Sequence, residues 1–114
     1  ILCHLREDGV AYWDFDDPKI PDTYRDASAA AVMASAYVEL SGYAEGRQRK
    51  EYKAVAERIL RTLASDEYLC ATGECHGFLL KHSVGSIPHG NEVDVPLTYA
   101  DYYFLEALIR YNNL

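Results

Sequence analysis

Two kinds of helical pattern alternate along this chain. Between about Arg47 and Ala64, apolar side chains recur as Tyr52, Val55, Ala56, Ile59, Leu60 and Leu63. Lys50, Lys53, Glu57, Arg58 and Arg61 fill the other positions. The apolar set lies on one side of a helix with about 3.6 residues per turn. It predicts an amphipathic helix with one buried and one solvated face. The stretch before it, from about Asp26 to Leu40, carries small or apolar residues all round (Ala27-Ser28-Ala29-Ala30-Ala31-Val32-Met33-Ala34-Ser35-Ala36). That predicts a helix buried on most sides. Asp26 or Asp22 is placed to cap its first amides, and Gly42 to stop it. A third helix is expected after Asp94, with Pro96 in its first turn, where a missing N–H costs little. Tyr99, Ala100, Tyr102, Tyr103, Phe104, Leu105, Ala107, Leu108 and Ile109 leave it little room for a solvated face.

The remaining segments read as connections. Ile1 to Arg6 looks like the tail of an earlier element. Asp8 to Tyr24 is loop, with Gly9, Pro18 and Pro21; each proline disfavours helix at the residue before it. Asp66 to Val93 is irregular, with Phe78-Leu79-Leu80 as a short extended piece. No internal repeat or low-complexity segment occurs. An all-round apolar helix, a one-sided helix and a second all-round apolar helix form the pattern of a two-layer helical barrel: inner, outer, inner. Three helices cannot bury two such members among themselves. Neighbours are therefore expected, from a longer chain or from other subunits.

Composition narrows the classes. The 114 residues carry a net charge of −7 and a pI near 4.9. No basic stripe interleaves with aromatics, so nucleic acid is not the expected partner. No apolar run approaches a membrane span, and no signal peptide is visible after Ile1. Three cysteines do not suit a disulfide framework. Reduced thiols in a bacterial cytoplasm are the expected state, with the periplasm as the alternative. A Cys70–Cys75 disulfide would require an oxidising compartment.

Candidate chemistry is sparse. Cys70, Cys75, His76, His82 and His89 only loosely resemble zinc-finger spacing, so no metal is expected. Asp14, Asp16 and Asp17 sit in a proline-flanked turn, where capping and solvation explain them better than acid–base catalysis. Ser83 and Ser86 lack a nucleophile elbow, and no phosphate-binding glycine loop occurs. The loop Lys81-His82-Ser83-Val84-Gly85-Ser86 is the better candidate. Two hydroxyls separated by Val84 and Gly85 can turn toward one oxyanion, with Lys81 and His82 adding cationic capacity. Trp13, on a loop among carboxylates, is a candidate sugar platform. Tyr99, Tyr102, Tyr103 and Tyr111 at helical spacing are expected mostly in core.

Three blocks resemble one enzyme family. They are Tyr12-Trp13-Asp14-Phe15-Asp16, then Arg25-Asp26-Ala27-Ser28-Ala29-Ala30, then the run from His82 through Glu92-Val93-Asp94-Val95-Pro96-Leu97-Thr98-Tyr99-Ala100-Asp101-Tyr102-Tyr103-Phe104 to Leu108. Their order and wording resemble the C-terminal part of the unsaturated glucuronyl hydrolases, glycoside hydrolase family 88. The related unsaturated rhamnogalacturonyl hydrolases fit the third block less well. The resemblance implies an all-α fold, residues 1–114 forming the C-terminal portion of an (α/α)6 barrel. It implies removal of Δ4,5-unsaturated uronic acid from oligosaccharides made by polysaccharide lyases, without a metal or organic cofactor. In that family an aspartic acid protonates C4 and water adds at C5. The hemiketal then opens and the glycosidic bond breaks.

The family's two key aspartates lie on helices outside this chain, so no catalytic residue is expected here and the isolated chain should be inactive. Substrate contact is expected at His82, Ser83, Ser86 and Trp13. Members acting on sulfated substrates resemble one another in a Ser-x-x-Ser-x-Lys pattern. Here Ser83 and Ser86 match, and Pro88 replaces the lysine. The expected partners are the unsaturated oligosaccharide and the rest of the barrel, or a second copy. A different class remains open at this point: a small helical interaction protein that oligomerises and has no activity.

Overall fold

A computed structural model describes residues 1–114. Three helices carry the fold: α1 (Ala27–Tyr43), α2 (Gly46–Leu63) and α3 (Thr98–Asn112). Single 3-10 turns occur at Leu2–His4 and Cys75–Gly77. No strand forms, only isolated antiparallel bridges. α1 is the middle layer: α2 and α3 both pack on it and scarcely touch each other.

Asp26 starts α1. Its carboxylate accepts from the Ser28 N–H at 2.9 Å and the Ser28 hydroxyl at 2.6 Å, satisfying a helix-end amide that has no partner within the helix. α1 buries Ala27, Ala30, Ala31, Ala34 and Val38 completely or nearly so. Small side chains let two neighbours approach one helix closely. α2 buries Val55, Ala56, Ile59, Leu60 and Leu63, the one-sided face its sequence predicts, and Tyr52 packs partly buried against it. Gly9 fits under α2 with φ +82°, and a Cβ there would lie 2.6 Å from Ile59 Cγ1. Only glycine meets both conditions.

Two boundary expectations are corrected. Gly42 does not stop α1, which runs through it to Tyr43 and ends at Ala44 in extended conformation. Gly42 keeps its helical place at an exposed turn. Pro96 is not in the first turn of α3; it precedes the helix, whose N-cap is Leu97. Val95 exchanges both backbone hydrogen bonds with Ser83, at 2.9 and 3.0 Å. That pairing holds the chain extended, and a residue before proline already disfavours helix.

α3 buries Ala100, Phe104 and Ala107 against α1. The stripe Tyr102, Leu105 and Ile109 lies on the opposite side and is exposed, Ile109 by 63%. On α1, Val32, Leu40 and Tyr43 are exposed as well. The all-round apolar reading of both helices holds, and their outer sides lack neighbours within this chain. Between α1 and α3 a polar seam forms. Ser35 donates to Glu106 at 2.5 Å, and Arg110 reaches Glu39 at 2.8 Å.

The expectation of reduced thiols is corrected. Cys70 and Cys75 form a disulfide, Cα–Cα 6.1 Å, and only Cys3 is free. The odd count is a local pair, the Cys70–Cys75 bond considered for an oxidising compartment, plus one remaining thiol. The bond closes the turn that carries Phe78-Leu79-Leu80 back to a bridge between Leu69 and Leu80. Asp101 on α3 anchors that return, accepting from Leu79 N–H at 2.8 Å and Leu80 N–H at 3.0 Å. No helix is long and apolar enough to cross a membrane.

Candidate carbohydrate-binding site

The three sequence blocks meet at the start of α1. Ala27 N–H donates to the His82 carbonyl at 3.0 Å, and Val84 N–H donates to Asp26 at 3.1 Å. The loop 82–95 is thereby tied to the helix that carries the second block. Arg25 fastens the first block: its guanidinium reaches both Asp8 oxygens at 2.6 and 2.7 Å and the Val10 carbonyl, and it lies over the Tyr12 ring. Burial pushes the Asp8 carboxyl up. The Arg25 and Val10 N–H bonds and the Arg25 and Arg6 charges outweigh it, holding Asp8 below the usual carboxylate value.

The loop 82–95 is a short irregular hairpin. Ser83 pairs with Val95 and Ser86 with Asn91. Gly85 approaches Glu92 so closely that a Cβ would lie 2.7 Å from the Glu92 Cβ, which is why glycine occupies this turn. The two hydroxyls are not brought together. Ser83 Oγ is buried and has no hydrogen-bond partner within the chain, whereas Ser86 Oγ meets His89 Nδ1 at 2.6 Å. Residues three apart on an extended segment point to opposite faces.

Trp13 lines a cleft of about 460 Å³ with Asp17, Lys19, Pro21, Asp22, Thr23, Tyr24 and Ile87. Its Nε1–H donates to Asp17 at 2.6 Å and to Thr23 at 3.2 Å, which fixes the indole plane. Asp17 is held below its ordinary value by the Thr23 hydroxyl first, then by the Lys19 N–H and the Trp13 N–H. A smaller cleft of about 220 Å³ shares the Thr23–Tyr24 wall and adds Arg25, Glu67, Tyr68, His82 and Asp94. His82 Nδ1 lies 2.6 Å from Asp94 Oδ1, a pair that sequence reasoning missed. No motif joins positions twelve apart in an irregular loop; only their common place in the third block hinted at it.

The cysteine–histidine group does not assemble. Its cysteines are in the disulfide, His82 is on Asp94 and His89 is on Ser86. Asp14 caps its own turn through the Asp16 N–H.

An inner helix flanked by an outer and a second inner helix is the arrangement of a segment of a two-layer helical barrel. No family model matches the sequence. Individual relatives do. The chain is 49% identical over 111 residues to the unsaturated glucuronyl hydrolase of Formosa agariphila, covering 97% of this chain and 27% of that protein. It is 33% identical to the enzyme of the same name from Bacillus sp. GL1, covering 96% and 29%. A crystal structure of an unsaturated glucuronyl hydrolase specific for heparin superposes with a TM-score of 0.92 at 49% identity, over 96% of this chain and 29% of that one. The chain belongs to the unsaturated glucuronyl hydrolase family, glycoside hydrolase family 88. It spans a little over a quarter of the length of the curated relatives it matches.

Proposed function

We propose that this chain is the C-terminal portion of a barrel enzyme that removes Δ4,5-unsaturated uronic acid from glycosaminoglycan-type oligosaccharides. The observation that carries the reading is the TM-score of 0.92 at 49% identity to a hydrolase specific for heparin. A related hydrolase variant from Streptococcus agalactiae, 34% identical here, is complexed with dGlcA-GalNAc6S. The segment supplies a wall of the substrate cleft through Trp13, His82 and Ser86. Ser83, fully buried with both backbone groups paired to Val95, holds the loop in shape and does not touch the sugar. The aspartic acid that protonates C4 lies elsewhere in the barrel. Water then adds at C5, and the hemiketal opens to release the next sugar.

The partner of the exposed α1 and α3 faces is the remainder of that barrel. Leaving Tyr102, Leu105 and Ile109 in water forfeits about 25 cal/mol for each Å² of apolar surface they could bury. The disulfide favours an oxidising compartment, periplasm or outside, over the cytoplasm. Thiol labelling of the unfolded native protein, read by peptide mapping, then finds Cys3 labelled and Cys70 and Cys75 protected; labelling of Cys70 and Cys75 overturns this placement.

The test of activity is loss of the unsaturated uronate's ultraviolet absorbance. The full-length protein turns over unsaturated disaccharides and the isolated chain does not. Turnover by the isolated chain overturns the placement of the acid. A stable, cooperative dimer of the isolated chain favours the interaction-protein reading instead.

A further inference from the structure

The His82–Asp94 pair stands out from every other polar contact in the chain. Both residues have positive φ, 61° and 54°, a conformation that residues other than glycine rarely take. The surrounding backbone holds them there. His82 precedes Ser83 and Asp94 precedes Val95, the two residues that exchange hydrogen bonds, and the His82 carbonyl is fixed by Ala27 N–H. Cys75, His76 and Glu92 share the conformation; what sets His82 and Asp94 apart is that their side chains meet at 2.6 Å on the wall of a cleft.

Their geometry defines what they offer. At 2.6 Å the contact between His82 Nδ1 and Asp94 Oδ1 suits the tautomer in which Nδ1–H donates and the carboxylate oxygen accepts. In the neutral ring Nε2 is left as an acceptor. The Tyr68 ring meets the imidazole edge-on at 6.0 Å and limits its tilt. Both side chains remain 44% exposed and line the smaller cleft, beside the Thr23–Tyr24 wall shared with the Trp13 cleft.

Charge decides which part of a substrate fits. The one arginine in the small cleft, Arg25, is already engaged by Asp8. Glu67 and Asp94, with Asp17 and Asp22 across the wall, face Lys19 as the remaining cation. Such a cleft disfavours the uronate carboxylate and suits a hydroxyl-bearing ring.

We propose that Asp94 is a positioning residue that orients His82 to accept a hydrogen bond from a hydroxyl of the sugar linked to the unsaturated uronate. This rests on the functional reading above and deepens it: the segment recognises the released sugar, not the uronate.

The experiment uses the full-length protein carrying this segment and two substrates. One is an unsaturated glucuronyl disaccharide ending in an unsulfated hexosamine. The other is 4-nitrophenyl unsaturated glucuronide, which has no second sugar. Asp94→Ala and His82→Ala are expected to raise KM for the disaccharide about fivefold, the loss of one neutral hydrogen bond, with kcat little changed. Asp94→Asn, whose amide oxygen still accepts, recovers most of the affinity. The nitrophenyl substrate, which has no second sugar, is expected to show a clearly smaller rise in KM than the disaccharide, and the circular dichroism spectrum and thermal midpoint of each variant control for misfolding. In the double variant the two losses are not additive. Equal losses on both substrates, or an unchanged KM for the disaccharide, overturn the proposal. A wild-type protein inert on both substrates overturns the functional reading and this inference together; an active wild type with insensitive variants overturns this inference alone.

Discussion

The Asp26 carboxylate binds the Val84 amide across 58 positions of sequence while capping the helix that begins one residue later. One oxygen thus serves a helix end and the loop 82–95. Asp26→Ala removes a cap, worth about 1 kcal/mol, and leaves the Val84 N–H buried without a partner, costing about 1–3 kcal/mol more. Urea denaturation of the full-length protein should show a loss of about 2–4 kcal/mol. Asp26→Asn, which retains an acceptor oxygen, should lose less than half of that. Equal loss in both variants would refute the shared-acceptor role.

Acid should weaken the Asp8–Arg25 pair in a defined direction. Asp8 is held below its ordinary value of 3.8 in the folded state. A depressed carboxylate contributes stability that is present above its unfolded pKa and is lost as pH falls through the folded one. Asp8→Asn should therefore cost stability at pH 5 and above and nothing at the acid end, below the folded value. The Asp8 side chain is 38% exposed, so screening limits the difference to about 1 kcal/mol or less. A difference that grows as pH falls would contradict the pairing.

Reduction should loosen the Cys70–Cys75 turn without unfolding the barrel. A loop this short restricts the unfolded chain by about 2 kcal/mol, and Asp101 still holds Leu79 and Leu80 after the bond is cut. Dithiothreitol should lower the thermal midpoint of the wild type and leave Cys75→Ser unaffected. An equal response in both would assign the effect elsewhere.

Sulfate preference should follow position 88. Pro88 offers no charge, and the Ser86 hydroxyl is already in contact with His89 Nδ1. Comparable turnover of sulfated and unsulfated disaccharides is expected. Pro88→Lys should shift kcat/KM toward the sulfated substrate by about tenfold, the scale of a charge-assisted bond. A wild type with strong sulfate preference would contradict this.

What the sequence made legible was periodicity. The apolar stripe of α2 runs through Val55 to Leu63 as read, and the Asp26 cap was visible because its chemistry is local. Pro96 was misplaced because a partner at Ser83, not its own neighbours, keeps Val95 extended. Gly42 was misread because a glycine is permitted in a stop and does not enforce one. The Cys70–Cys75 pair was nameable from its spacing, but an odd cysteine count pointed to reduced thiols instead. In the site, Trp13 and His82 do line adjoining clefts. The paired serine hydroxyls do not converge, since that reading ignored the alternation of an extended chain. The His82–Asp94 contact depends on two unusual backbone angles that no residue type announces.

The two opposed apolar sides of α3 also bear on how this segment can vary. Most surface helices accept charged replacements over half their circumference. Here the permissive strips are narrow, since Asp101 anchors one flank and Glu106 and Arg110 the other. In a saturation library of the whole protein, Tyr102, Leu105 and Ile109 should be as intolerant as Ala100, Phe104 and Ala107. In the isolated chain only the second trio should be constrained. The difference between the two libraries would trace the footprint of the missing helices on α3, residue by residue.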